Sequence, residues 1–410
     1  MPELTRRRLL QDALAASAGL MAGSGSLLAR TARAAPAGDR VLVVVFLRGG
    51  ADGLSLCAPY GEPEYYALRP TIALPRPRQQ ARESLVDLDG HFGLHPDLAP
   101  LKPLWSDGRF AVLHAVGCPD TSRSHFDAQE FLESGTPGHK ETRTGWLERC
   151  LAHKGRRKLT AGISFSAFLP RSFCGGEPVL VARDLKRLDF EAAGWREEAE
   201  RDLRRLYAQD QSAVGAVGLA ALDEVAILKR TRQLKDGPEN GAVYPEGFVG
   251  EAFRQAACVI KSDLPTFCVF IDVAGDFDTH ANQLDANRRD YRSLAVALSS
   301  FDRDLGRAMD RVVVMVVTEF GRAVAESGSA GTDHGSGGAM LLLGAPVRGG
   351  RVHGRWPGLA KDRLFEERDL AVTTDFRDVF AEVARKHLGV SDARSLFPGY
   401  VPGAEPGVLA

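Results

Sequence analysis

Unbroken runs of Val, Leu, Ile and Phe constrain the fold of this chain more than any other feature of its sequence. They lack the alternation of apolar and polar residues that marks a half-exposed strand. They therefore predict strands buried on both faces of a parallel sheet, which places the chain in the α/β class. The predicted strands are 41–47, 111–116, 267–273, 311–317 and 339–343, with weaker candidates at 163–165 and 179–181.

Helical patterns lie between these strands. Between Asp184 and Asp236 the composition shifts to Arg, Glu, Leu and Ala without Pro. This shift predicts amphipathic helices inserted between strands of the sheet, over about residues 184–260. Further helices are predicted at 126–135, 291–305 and 375–387. We therefore expect residues 35–410 to form a single domain, a mostly parallel sheet sandwiched by helices, with one helical insertion.

The first 34 residues have the pattern of an export signal. Arg6, Arg7 and Arg8 precede a weakly apolar segment, and Ala32-Arg33-Ala34 offers a small-x-small cleavage site. This pattern indicates a signal of the twin-arginine type. The segment is interrupted by Gly and Ser and is too weak for a membrane-spanning helix, although an uncleaved anchor is the alternative. We expect a periplasmic or secreted protein with no integral membrane span after signal removal.

Charge and cysteine content exclude two classes of function. The chain has 52 Lys and Arg residues against 53 Asp and Glu residues, a formal net charge of −1. No basic field is available to hold a phosphate backbone, so nucleic acid is excluded as a partner. None of the six cysteines forms a CxxC pair, which leaves a zinc ribbon unsupported. In an oxidising compartment some of them could pair, but the sequence does not choose a pairing.

Two Asp/His pairs lie beside predicted strands. Asp278 and His280 follow the strand 267–273, and Asp333 and His334 precede the strand 339–343. Carboxylate oxygen and neutral imidazole nitrogen both ligate zinc or manganese. One such pair alone is more often a turn or a helix cap than a ligand set, but two pairs favour a divalent metal. His353, in a later turn-rich loop, is an optional further ligand.

Asp52 and Ser124 occupy comparable positions. Asp52 follows the strand 41–47 through two glycines, at the strand end where α/β folds build their sites. The alternative for Asp52 is a turn-forming residue. Ser124 lies between the strand 111–116 and the helix 126–135, where a nucleophile gains from the helix dipole and free backbone N–H groups. The alternative for Ser124 is an ordinary N-cap.

The motifs FLRGGADGLS, SRSHFDAQEF, FDTHANQ, TEFGR and GTDHGSGG together resemble those of an exported bacterial family, domain of unknown function 1501. The resemblance covers residues 41–400. That family is placed in the alkaline-phosphatase-like superfamily, with sulfatases, cofactor-independent phosphoglycerate mutases and phosphopentomutases. The resemblance implies a mostly parallel α/β sheet and two metal ions that flank a Ser or Thr nucleophile.

The resemblance also implies roles for individual residues. Ser124 matches the nucleophile, with Ser122 as a competitor. The metal ligands that we expect, all at strand ends, are Asp52, Asp278, His280, Glu319, Asp333 and His334. The basic residues that we expect to bind substrate are Arg123, His125 and Arg322.

The second metal site departs from the pattern of the superfamily. In most members of the superfamily, the strand that carries the ligands of this site ends in Asp-His-Gly. The corresponding residues of this chain are Glu319-Phe320-Gly321. Glu can replace Asp as an oxygen ligand, but Phe320 cannot ligate a metal. In the alternative alignment, Asp333-His334-Gly335 is itself the Asp-His-Gly element, and His353 is the late histidine.

Three functions are compatible with these features. The first, which we predict, is a metal-dependent hydrolase of phosphate or sulfate esters, acting on a small anionic ester or glycan. It would use Ser124 and one or two zinc, manganese or calcium ions. The second is a one-metal or metal-free remnant that binds an anionic glycan or a partner enzyme without turnover. The third is a periplasmic scaffold in which the Asp/His pairs are caps.

Overall fold

The computed structural model describes residues 40–78, 83–156, 158–187, 196–230 and 237–410. The predicted export signal, 1–34, lies outside these ranges. Within them, no helix is long and apolar enough to cross a membrane. The described residues from 40 onward form one compact unit.

The apolar runs form the strands of a central sheet. In chain order the strands are β1 (Val41–Arg48), β2 (Cys57–Ala58), β3 (Val86–Asp87), β4 (Gly93–Leu94), β5 (Phe110–Gly117), β6 (Gly162–Phe165), β7 (Leu180–Val181), β8 (Cys268–Ala274), β9 (Val312–Thr318), β10 (Gly338–Leu343), β11 (Val352–His353) and β12 (Thr374–Asp375). The central sheet has the order β11-β5-β10-β9-β1-β8-β6-β7, and β12 also pairs with β5. β2, β4 and β3 form a small separate sheet.

One central strand runs against the others. β1 pairs in parallel with β8 and β9, and β8 pairs in parallel with β6. β10 is antiparallel to both of its neighbours, β5 and β9. The start of β10 therefore lies at the same edge as the ends of β1, β5, β8 and β9. The predicted α/β class with a mostly parallel sheet is confirmed.

Helices cover both faces of the sheet. The α-helices are α1 (Gly53–Leu56), α2 (Pro63–Leu68), α3 (Lys102–Ser106), α4 (His125–Ser134), α5 (Trp146–His153), α6 (Arg196–Gln209), α7 (Ala213–Arg230), α8 (Phe248–Lys261), α9 (Gln283–Ala286), α10 (Arg288–Leu305), α11 (Phe376–Lys386) and α12 (Ala393–Leu396). Short 3-10 segments are Pro96–Leu101, Leu159–Ala161, Arg171–Phe173, Leu185–Arg187, Gly306–Arg311 and Lys361–Arg363. The predicted insertion, 184–260, contains α6, α7 and most of α8.

Alternate residues of β1 enter two different cores. Val43 and Val45 face α8 and α10, whereas Val44 and Phe46 face α5 and α11. All four of these side chains are fully buried. Burial of each such side chain stabilises the fold by roughly 1.5–3 kcal/mol. Because both faces are buried, the strand cannot alternate apolar with polar residues, which explains the unbroken run.

All six cysteines lie in the described ranges and are free thiols. Cys57, Cys150 and Cys268 are fully buried. Burial raises the pKa of the Cys57 and Cys268 thiols well above the usual value. These thiols therefore behave as small apolar side chains of the core.

Candidate metal centre

Four loops meet at the edge where β1, β5, β8 and β9 end and β10 begins. They are residues 49–52 after β1, 118–124 after β5, 275–282 after β8, and 319–337 between β9 and β10. This edge is where open α/β sheets usually bind ligands. The polar residues singled out from the sequence lie in these loops or at the start of the helix that follows.

Three imidazoles and one carboxylate converge at this edge: His125, His280, His334 and Asp278. The Nε2 atom of His334 is 3.1 Å from the Nε2 atoms of both other histidines. It is 3.0 Å from Asp278 Oδ1, and His280 Nε2 is 3.1 Å from the same oxygen. His125 Nε2 is 3.4 Å from Asp278 Oδ2. These spacings are close to the tetrahedron edge of about 3.3 Å expected for zinc bonds of about 2.0–2.1 Å.

The other ring nitrogen of each histidine has an oxygen partner. The Nδ1···O distances are 2.8 Å from His125 to Glu319, 3.3 Å from His280 to Asp333 and 2.7 Å from His334 to the Arg123 carbonyl. Carbonyl and carboxylate oxygens only accept hydrogen bonds, so each Nδ1–H donates. In the neutral tautomer with its proton on Nδ1, the Nε2 atom of each ring would be free to ligate a metal. This is the tautomer that ligates metals, and the oxygen partners hold its orientation.

The loops 275–282 and 327–334 are held together by backbone hydrogen bonds. Thr332 N donates to the Thr279 carbonyl, and Gln283 N donates to the Ala330 carbonyl, both at 2.9 Å. At Gly331 an added Cβ would overlap the backbone of His280. A residue without a side chain is therefore needed there, and the close approach brings His280 and His334 together.

His125 reaches the cluster from the first turn of α4. Gln129 lies one turn later on the same helix face, and both side chains donate to Glu319 Oε1 at 2.8 Å. Gly49 N donates to the same oxygen at 2.9 Å. Glu319 thus orients His125 and ties α4 to the loop after β1.

Electrostatics keep the two carboxylates of the site ionised. Burial of Glu319 raises its pKa, but hydrogen bonds from His125 and Gln129 outweigh this effect and lower the pKa to about 2. Partial burial raises the pKa of Asp278, whereas His334 and Arg322 lower it, and the net direction is downward. Both groups are therefore anions at neutral pH.

The ring of Phe320 packs against the rings of His125 and His334. Its ring centroid is 4.8 Å from those of His125 and His334. Gly50 has a left-handed φ of 67°, and an added Cβ there would overlap the Phe320 ring. The apolar ring of Phe320 therefore occupies the position at which the superfamily pattern has a histidine ligand.

Asp52 lies apart from the cluster. Its carboxylate accepts hydrogen bonds from Arg69, Ser55 and Gln283, and from Leu54 N as the N-cap of α1. Burial raises the pKa of Asp52, but the charge of Arg69 more than offsets it, so the pKa is lowered. The guanidinium of Arg69 is itself fully buried. Arg69 thus balances the charge of Asp52, and the structure does not bring this carboxylate to the histidines.

The two predicted substrate-binding arginines face carboxylates of the protein. Arg123 donates to Asp369 at 2.7 and 3.0 Å and to Glu366 at 2.7 Å. Arg322 is buried and donates to Asp278 Oδ1 at 2.8 Å. His353 also lies apart from the cluster, in β11, where its Nε2 is 2.8 Å from the carbonyl of Arg348.

Ser124 is the N-cap residue of α4, yet its hydroxyl makes no capping hydrogen bond within the described chain. Its two neighbours both contact the cluster, Arg123 through its carbonyl and His125 through its ring. The competitor, Ser122, has its Oγ 3.3 Å from Asp127 Oδ2. Of the two hydroxyls, that of Ser124 is therefore not used in a capping hydrogen bond. Ser124 also lies, in sequence, between two residues that contact the cluster.

Sequence reasoning placed His125 among the substrate-binding residues, whereas its ring belongs to the cluster. The ligand atoms of His125, Asp278 and His334 all lie within 4.8 Å of one another. The four-residue spacing of His125 and Gln129 was the sequence feature that could have indicated the role of His125 in the cluster. It becomes informative only once Glu319 is known to face that side of α4.

The fold and the cluster define an α/β protein with three histidines and an aspartate gathered at the carboxyl edge of a mostly parallel sheet. Residues 114–397 match the family described as "Protein of unknown function (DUF1501)", and the chain belongs to that family. The predicted family is therefore confirmed. None of the curated proteins matches the sequence.

Several solved structures are distantly similar. The zinc complex of the C-terminal periplasmic domain of EcEptC from Escherichia coli is 10% identical, with a TM-score of 0.35 over 75% of this chain and 73% of that one. A protein in the alkaline phosphatase superfamily from Vibrio parahaemolyticus is 11% identical, with a TM-score of 0.32 over 75% and 60%. A sulfatase from Pseudoalteromonas sp. is 12% identical, with a TM-score of 0.34 over 91% and 72%.

Proposed function

We propose that His125, Asp278, His280 and His334 bind one divalent metal ion, with zinc as the best fit. We further propose that this centre hydrolyses phosphate or sulfate esters. The observation that carries the proposal is that His334 Nε2 lies 3.0–3.1 Å from Asp278 Oδ1 and from the Nε2 atoms of His125 and His280.

A cation accounts for the short distance between His280 Nε2 and His334 Nε2, which a hydrogen bond between two neutral rings of this tautomer does not. Two neutral imidazoles whose Nδ1 atoms both donate cannot hydrogen-bond through their Nε2 atoms, because neither Nε2 carries a hydrogen. Lone pairs 3.1 Å apart repel each other unless a cation lies between them. Three nitrogens and one oxygen suit zinc or manganese, whereas calcium prefers six to eight oxygens.

The proposed centre is open to solvent on one side. The side chains of Asp278 and His280 are 47% and 48% exposed. A substrate can therefore reach the ligands without a movement of the loops. A divalent ion held here would polarise an ester oxygen and stabilise the negative charge that develops during its cleavage.

Ser124 is the proposed nucleophile. It caps α4, a helix of ten residues, whose free backbone N–H groups and dipole favour negative charge. Anionic oxygens of a bound ester can be held there while the hydroxyl attacks. Because Arg123 and Arg322 are paired with Asp369 and Asp278, we assign the binding of anionic oxygens to this helix terminus. We propose a small phosphate or sulfate ester, or a glycan carrying one, as the substrate, and a periplasmic or secreted location.

A second candidate is a metal-binding protein without hydrolytic turnover. Arg69 neutralises Asp52, and Phe320 packs against two of the imidazoles, so the residues expected for a second ion do not assemble one. Two-metal enzymes stabilise both the attacking and the leaving oxygen. A one-metal centre lacks half of this stabilisation, which favours slow turnover or none.

Metal analysis combined with an ester panel tests both candidates. The protein is purified without chelator, its metal content is measured by mass spectrometry, and aryl phosphates and aryl sulfates are supplied with zinc, manganese or calcium. One ion per chain with ester hydrolysis supports the hydrolase. One ion without hydrolysis of any ester supports the second candidate, and absence of binding of every ion would overturn both.

A further inference from the structure

Three buried side chains behind Asp278 have polar atoms without a hydrogen-bond partner among the described residues. They are Arg322, through Nε and Nη1, Asn287, through both amide atoms, and Tyr291, through its hydroxyl. Arg322 and Asn287 are 1% exposed, and Tyr291 is 0% exposed. Since roughly nine-tenths or more of buried polar atoms in native proteins are paired, these five atoms on three residues indicate a hydrogen-bond partner from outside the chain, either water or a ligand.

These side chains belong to one region of the fold. Arg322 Nη2 donates to the carbonyl of Phe277 at 3.1 Å, and the Phe277 ring lies 6.1 Å from that of Tyr291. Asn287 and Tyr291 are four residues apart, and Tyr291 N donates to the Asn287 carbonyl at 2.9 Å. Their side chains therefore share one face of the chain where α10 begins.

Electrostatics support the proximity of the guanidinium and the hydroxyl. Burial raises the pKa of Tyr291 well above its usual value, and the nearby Asp52 raises it further. The charge of Arg322 opposes both effects and lowers the pKa of the same hydroxyl. Arg322 therefore lies close enough to Tyr291 for its charge to influence this hydroxyl.

The unpaired atoms offer more hydrogens than lone pairs. Arg322 contributes N–H groups at two nitrogens, Asn287 an NH₂ group and Tyr291 one O–H, whereas the acceptors are the Asn287 and Tyr291 oxygens. A water molecule would bring two further hydrogens into a site already rich in them. A species that only accepts hydrogen bonds suits it better, because a guanidinium offers donors and no acceptor.

We infer that Asn287, Tyr291 and Arg322 bind one small monovalent anion, chloride in a saline medium, in the interior behind Asp278. The anion pairs the free donors of Arg322 and so holds Nη2 on Asp278 Oδ1. None of the three side chains is a ligand of the proposed metal centre, so the anion can bind in the absence of a metal.

Halide-dependent stability tests the inference with the full chain. The protein is transferred to a gluconate buffer, and its unfolding temperature is followed as chloride or bromide replaces gluconate at constant ionic strength. We expect the unfolding temperature to rise with either halide by a constant increment per tenfold concentration above Kd, because the anion binds the folded state. An unfolding temperature that is the same in halide and gluconate would overturn the inference.

Variants separate this site from the rest of the protein. Tyr291→Phe and Asn287→Leu should each remove most of the halide response. Tyr244→Phe, which loses a hydroxyl bonded to Asp304 elsewhere, should keep it. His334→Ala should also keep it, because that substitution disrupts only the metal centre. Loss of the response in His334→Ala, or an undiminished response in both site variants, would contradict the proposal.

Crystals grown in bromide give a readout that needs no variant. An anomalous peak among Arg322, Asn287 and Tyr291 is the expected result. A water molecule at this position, or no density there, would refute the anion site.

Discussion

The Nε2 atoms of His280 and His334 lie 3.1 Å apart, although the two residues belong to different loops, one after β8 and the other before β10. Both rings have an oxygen partner at Nδ1, and in the neutral tautomer that is protonated there neither Nε2 carries a hydrogen. Two lone pairs at this distance repel each other, and a shared cation would remove that repulsion. This relationship underlies the first two predictions.

Replacement of His334 by Ala should abolish stoichiometric metal binding. His334 is the histidine closest to all other members of the cluster, and its loss removes one ligand and opens the site to water. We expect a larger loss of affinity than the roughly 10–100-fold that follows loss of an outer hydrogen-bond partner. The unfolding temperature measured with metal should fall toward that without metal. His153→Ala, at an exposed position of α5, is the control and should retain the ion; equal metal content in both variants would contradict the assignment.

Glu319→Gln should weaken metal binding by roughly 10–100-fold without removing a ligand. The carboxylate accepts the Nδ1–H of His125 and raises the basicity of its Nε2, and a neutral amide does this less well. Competition with a chromogenic chelator measures the affinity. Glu382→Gln removes another buried carboxylate, one that binds Lys386 and backbone N–H groups near the C-terminus. That control should lose stability but keep its metal affinity.

Arg69→Met should destabilise the fold by roughly 3–5 kcal/mol, because it leaves the charge of Asp52 buried and unpaired. The double variant Asp52→Asn with Arg69→Met should recover part of this loss, since no buried charge remains. Denaturant unfolding of the two single variants and the double variant measures the coupling. Metal content should stay unchanged in all three proteins; a drop in Asp52→Asn would instead make Asp52 part of the metal centre.

Ser124→Ala should lower kcat by several orders of magnitude while the protein keeps its metal ion. The hydroxyl of Ser124 is the proposed nucleophile, and Ser124 is not one of the proposed metal ligands. Hydrolysis of the best aryl ester, measured beside metal content, is the readout. Ser122→Ala is the matched control and should stay within a few-fold of wild type. The reverse outcome would make Ser122 the nucleophile.

The stability of the fold should decrease as the pH falls from about 6.5 to about 4. Burial lowers the pKa of His387 to about 4, while its Nε2 donates to the Val41 carbonyl at 2.9 Å. The unfolded chain takes up this proton near pH 6.5, so stability that is present above 6.5 is lost as the pH falls, by up to about 1.4 kcal/mol per unit.

Comparison with His387→Gln isolates this contribution. The amide can still donate to Val41 but does not titrate, so the difference in unfolding free energy between wild type and variant should shrink or reverse from pH 7 to pH 4. A difference that is independent of pH would show that His387 is not the titrating group.

The sequence alone determined the architecture to a large extent. An unbroken apolar run is a local property, and burial on both faces is its direct physical cause, so β1 and β9 were predicted within one residue of their observed limits. The predicted helix 291–305 corresponds to α10, which ends at the predicted residue but begins earlier, at Arg288. The positions of Asp278, His280 and His334 beside strand ends also followed from the sequence. The structure brings these three side chains together, and their role as ligands remains a prediction.

Only the tertiary structure determined which acidic and basic side chains pair with each other. Asp52 and Glu319 look alike in the sequence, since each follows a buried strand at the same edge of the sheet. In the fold, Arg69 reaches Asp52 and neutralises it, whereas Glu319 meets a histidine that arrives from α4. The pairing depends on distances of a few ångströms between segments far apart in the chain. Local sequence carries no record of such distances, because they result from the packing of helices and loops around the whole sheet.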